Sequence, residues 1–125
     1  MRGARNVTVK EVADFCLRQF PDLVVSASII QEERTVRLVL RDESFIDIFV
    51  GRTGRYSYHW QTGERRYRFN NAPHYDLFEI ETAPHHLHTP DSSAVEASVV
   101  RAISGEDITR VLQFVAQRLP KEQLP

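Results

Sequence analysis

Two kinds of apolar spacing divide this chain. Val9, Val12, Cys16 and Phe20 recur at helical intervals, with Phe15 close to the same stripe. Thr8-Val9-Lys10-Glu11 has the form of a capping box, and Pro21 stops the run, so the spacing predicts a helix over 9–19. Near the other end, Ser104 is placed to cap, Asp107 follows, and Ile108, Val111, Leu112, Val115 and Leu119 trace a second stripe up to Pro120. That predicts a helix over 106–119.

Between them the period falls to two. Leu23 to Gln31 is rich in β-branched residues, and Thr35 to Arg41 alternates, with Val36, Leu38 and Leu40 on one face. Phe45 to Val50 is apolar on both faces apart from Asp47, which places it centrally in a sheet. The links are short and polar, too short for crossover helices, so the strands over 23–70 are antiparallel. Reading Thr62-Gly63 as a two-residue loop sets His59 opposite Arg66 and Tyr58 opposite Tyr67. One face then carries Tyr56, Tyr58, Trp60, Tyr67 and Phe69; the other carries Ser57, His59, Gln61, Arg66 and Arg68. A His- and Pro-rich loop over 71–90 is too long for an ordinary connector, and Val95 to Val100 reads as a short strand. The expected fold is α+β: one domain over 1–125, with a single antiparallel meander of five or six strands. Both helices pack on its aromatic face.

Composition adds constraints. The single Cys16 cannot form an internal disulfide, and its place in a helical stripe marks it as a core residue. No apolar run is long enough to span a bilayer, and neither a signal peptide nor a lipidation motif is visible, so a cytoplasmic protein without a membrane partner is expected. Net charge is −1, but it is unevenly spread. From residue 52 to 75, Arg52, Arg55, Arg65, Arg66 and Arg68 meet one acid, Glu64. From 76 to 109, Asp76, Glu79, Glu81, Asp91, Glu96, Glu106 and Asp107 meet only Arg101. Such a split permits a local anion site and equally permits pairing within the fold.

All five histidines, His59, His74, His85, His86 and His88, fall in the arginine-rich hairpin and the loop after it. RNA carries its own nucleophile, the 2′-hydroxyl, so a protein that cleaves it needs a base, an acid and cations for the developing phosphorane charge. Histidine suits both proton roles near neutrality, and the arginine fork suits phosphate. His59 with His85 or His86, and then His74, are the candidate acid–base residues. Arg66, Arg68, Tyr58 and His88 are candidates for holding RNA. A metal site built from the same histidines competes with this reading, as does a purely structural role in turning the chain. No cysteine and no His-Glu-x-x-His spacing accompany them, so neither metal nor cofactor is expected. Gly-rich phosphate loops and Gly-x-Ser-x-Gly elbows are absent too.

Three strings occur in order: Tyr56-Ser57-Tyr58-His59-Trp60-Gln61, Asn70-Asn71-Ala72-Pro73-His74, and Pro84-His85-His86-Leu87-His88. Together with Val95-Glu96-Ala97-Ser98 and the terminal helix, they resemble the TumE toxin family of type II toxin–antitoxin systems over roughly Val24 to Leu119. Where family members often carry a second histidine after the first Pro-His, this chain has Tyr75. The resemblance implies a prokaryotic toxin acting as an endoribonuclease on mRNA or tRNA and held by a helix-turn-helix antitoxin; a homodimer is compatible with it. The alternative is a non-catalytic RNA- or protein-binding module that uses the same cationic face.

Overall fold

The computed structural model describes residues 7–73 and 80–119. Helix α1 spans Val9–Gln19, and the capping box is formed: the Glu11 amide donates to Thr8 Oγ1 at 3.1 Å, and the Thr8 amide donates to Glu11 Oε1 at 3.0 Å. Seven strands follow: β1 Val24–Ile30, β2 Thr35–Leu40, β3 Phe45–Val50, β4 Tyr56–Thr62, β5 Arg65–Asn70, β6 His86–His88 and β7 Glu96–Ala97. Helix α2 spans Gly105–Ala116, capped by Ser104, whose Oγ accepts from the Asp107 amide at 3.0 Å.

The strands form one antiparallel sheet in sequence order, β1 through β7. The expected α+β meander with two terminal helices is present, with seven strands where five or six were expected. The extra one, β6, arises inside the His- and Pro-rich loop. A three-residue strand shows too little alternation to announce itself, and only pairing with β5 and β7 makes it one.

The hairpin register differs from the sequence reading. Thr62 pairs with Arg65, so the loop is Gly63-Glu64, and His59 faces Arg68 where Arg66 was expected. Gly63 has φ +61°, at the first loop position, where a type II′ hairpin places glycine. Moving the loop by one residue moves each partner by two. Two is the pleat period, so both faces keep their membership.

The aromatic face is the core. Tyr56, Tyr58, Trp60, Tyr67 and Phe69 are buried beside Val36, Leu38, Ile46 and Ile48. Val12 and Cys16 from α1 and Ile108, Val111 and Val115 from α2 close over them. Burial of Cys16 pushes its thiol up to about 12, as a core role requires. Phe114 of α2 sets its ring edge-on to Tyr67 and Phe69, with centroids at 5.6 and 5.1 Å. The polar face is thereby left on the side away from the helices.

A histidine and arginine row on the polar face

Directly opposed residues of neighbouring strands share a face, so the pairing fixes a row across the sheet. Ser28, Arg37, Asp47, His59, Arg68 and His88 stand side by side on β1 through β6. Arg37 grips Asp47 with both prongs, Nε to Oδ1 and Nη2 to Oδ2, each 2.8 Å, and its guanidinium lies 4.1 Å from the Phe45 ring centre. The two charges largely satisfy one another, and the Asp47 hydrogen bond raises the Arg37 pKa.

His59 meets a different partner. Arg68 directs Nε and Nη2 at its Nδ1, at 3.3 and 3.2 Å. Arginine can only donate, so Nδ1 accepts and the ring proton sits on Nε2, which makes a long 3.5 Å contact to Gln61 Oε1. His59 is therefore neutral in this arrangement. Its pKa lies below the usual histidine value, first through burial and then through Arg68 and Arg66, against the opposing pull of Gln61 and Asp47. His59, Arg68, Arg37, Asp47, Ser57 and Phe45 line a shallow depression of about 370 Å³. Arg66 lies on the same face, opposite Gln61, and among the described residues neither Arg66 nor Arg68 has an acidic partner at ion-pair distance. Arg65 is different: it pairs with Asp91 at 2.9 Å.

The remaining sequence candidates separate. In β6, Leu87 pairs with Phe69 and points into the core, so His86 and His88 point to the polar face. His88 stands opposite Arg68 and is half-buried. His86 stands opposite Asn70; it is 1% exposed, directs Nδ1–H at the Pro84 carbonyl at 2.8 Å, and meets the His88 ring edge-on at 4.8 Å. His85 falls on the helix side. Its ring stacks on Tyr56 with centroids 5.9 Å apart, and its Nδ1 lies 2.8 Å from the Tyr56 hydroxyl. Burial and Arg101 lower its pKa. Of the adjacent pair His85 and His86, strand alternation thus turns His86 to the face that carries His59 and His85 to the opposite one. Tyr58 is likewise in the core, 1% exposed, with its hydroxyl donating to the Ala102 carbonyl at 2.7 Å, so it has no access to a ligand on the polar face. His74 lies outside the described residues.

Sequence reasoning missed Arg37, Asp47 and Phe45 as neighbours of His59. The lone acid in an otherwise apolar β3 and the polar position of Arg37 on β2 were the available signals. Among the described residues, no group of three or more His, Cys, Asp or Glu side chains converges in a way that would hold a metal ion, and no helix is long and apolar enough to cross a membrane.

An α+β meander with its helices on one face and a histidine–arginine row on the other defines the class. Within it, the chain belongs to the family described as Toxin TumE, whose model matches residues 13–119 and so begins inside α1. It is the toxin of a toxin–antitoxin system, and its counterpart is a cognate antitoxin. No curated protein and no solved structure matches the chain.

Proposed function

We propose that this toxin is a metal-independent endoribonuclease, with His59 and His88 as the proton carriers and Arg68 and Arg66 as the phosphate holders. One observation carries the reading: His59, Arg68 and His88 are consecutive members of a row on three adjacent strands. Strands lie about 4.8 Å apart, so the two histidine backbones are roughly 10 Å apart with the arginine between them. A phosphodiester seated over Arg68 comes within reach of both imidazoles.

The chemistry follows from the charge states. The phosphate draws Arg68 off His59, which exposes the Nδ1 lone pair. Neutral His59 then takes the proton of the 2′-hydroxyl as its oxygen attacks phosphorus. Arg68 and Arg66 offset the charge gathering on the phosphorane oxygens. The bond from phosphorus to the 5′-oxygen breaks, and His88, protonated, gives that oxygen its proton. The products are a 2′,3′-cyclic phosphate and a 5′-hydroxyl. Toxicity follows from the loss of intact RNA, and the antitoxin restrains it.

The test is incubation of the purified protein with total RNA, with and without EDTA, followed by analysis of the cleavage ends. Cyclic-phosphate ends that persist in EDTA support the proposal. Retained RNA binding without cleavage overturns it and leaves a binding module on the same cationic face.

A further inference from the structure

The two edges of the sheet are built differently. At one end β7 is only two residues long, a blunt edge with little to offer a partner. At the other end β1 runs for seven residues, Val24 to Ile30, and its outer side meets no strand among the described residues. Folded proteins guard such edges with lysine, proline or inward charge. β1 has none of these: it reads Val-Val-Ser-Ala-Ser-Ile-Ile. Its one irregularity is a bulge between Val24 and Ser26, which leaves Ser26 to Ile30 in regular pairing with β2. Among the described residues, two of the four exposed large hydrophobic side chains lie on this strand, Val25 at 67% and Ile29 at 43%.

We infer that β1 is a self-pairing edge, at which a second copy of this chain adds its own β1 antiparallel about Ser28. The regular stretch is self-complementary in that register. Ser28 meets Ser28 of the second copy, Ala27 meets Ile29, and Ser26 meets Ile30. Ala27 and Ile29 lie on the helix side, since they pair with Leu38 and Val36 of the core, so the exposed Ile29 gains an apolar neighbour. The absence of charge argues for a second copy over a foreign strand, which would need a charge pattern to select it. A two-fold axis through paired strands is also the commonest closed symmetry. It keeps the two polar faces on the same side. Ser28 belongs to the row that carries Arg37, Asp47, His59, Arg68 and His88, so the two rows become continuous across the junction. The two His59 residues then stand roughly 34 Å apart along one sheet, at about 4.8 Å per strand.

The experiment is sedimentation of the full chain at tens of micromolar, alongside Ile29→Lys and Ser28→Lys, with thermal melting of each. The expected wild type has twice the 14.5 kDa chain mass, and both folded variants return to a single chain. Ser28 is exposed, so its variant keeps the fold even where Ile29→Lys disturbs the helix side of β1. Oxidation of Ser28→Cys should yield a covalent dimer, while Ser26→Cys, which faces Ile30, should not; the native Cys16 is fully buried. A wild type of single-chain mass overturns the inference and leaves the edge for a strand of another protein. A dimer that persists in a folded Ser28→Lys variant also overturns it. Mass is read without RNA, so neither outcome depends on the ribonuclease proposal.

Discussion

Arg68 presents two nitrogen donors to the single Nδ1 acceptor of His59. The pair is cross-strand, directly opposed, and on the solvent side of the sheet. It fixes the histidine tautomer and ties the imidazole lone pair to the residue best suited to hold phosphate.

Nitrogen-15 NMR of the free protein should therefore find His59 with its proton on Nε2 and a pKa below the ordinary 6.5. Replacing Arg68 with Met removes a nearby cation and should raise that pKa, though not fully to the ordinary value, because burial is the first cause of the shift. An Nδ1–H signal in the wild type would contradict the geometry.

The same shift has a consequence for stability. A depressed histidine pKa means that the unfolded chain takes up the proton at higher pH than the folded one. The contribution is fully present above about pH 6.5 and fades as pH falls through the lower folded value. His59→Gln should show a shallower loss of melting temperature between pH 7 and pH 5 than the wild type. Parallel curves would place the acid sensitivity elsewhere.

His59→Ala and His88→Ala should each lower RNA cleavage by roughly 100- to 10,000-fold, the span of a general acid–base contribution. Folding should survive, since both residues lie on the polar face. His85→Ala should do the reverse. It loses the Tyr56 stack and hydrogen bond, costs about 1 kcal/mol of stability, and leaves cleavage per folded molecule near wild type. Growth arrest on induced expression, paired with thermal melting, separates the two patterns. A fully toxic, folded His59→Ala protein would remove His59 from the mechanism.

Tyr58→Phe distinguishes core from site. The lost hydrogen bond to Ala102 should cost about 1 kcal/mol, while RNA affinity stays unchanged, because the ring lies under the sheet. Weaker RNA binding at unchanged stability would restore the RNA-holding role expected from sequence.

Asp47→Asn tests the neighbour that sequence did not suggest. Arg37 loses its two-pronged carboxylate, at a cost of up to about 1 kcal/mol for a pair that is partly exposed. His59 loses a nearby negative charge, so its pKa should fall further. The His59 titration curve reads this directly, and a rise would show that Asp47 does not act on His59 as a nearby negative charge.

What the sequence determined by itself was local. The capping box and apolar stripe set α1 at Val9–Gln19, and apolar character on both faces, apart from Asp47, set β3 at Phe45–Val50, because caps and periodicity act within a few residues. The split of the Tyr56 to Phe69 hairpin into aromatic and cationic faces held even though the loop moved by one residue, since alternation does not depend on which partner stands opposite. Tertiary structure decided the rest. Whether glycine comes first or second in the loop determines whether His59 faces Arg68 or Arg66, and two-residue spacing satisfies both. Pro84-His85-His86-Leu87-His88 has no periodic context long enough to assign sides. Pairing of Leu87 with Phe69, distant in sequence, turns His86 and His88 toward the arginines and sends His85 to Tyr56. A side chain's face in so short a strand is set by the neighbour that supplies its backbone hydrogen bonds, and that neighbour is chosen only when the sheet assembles.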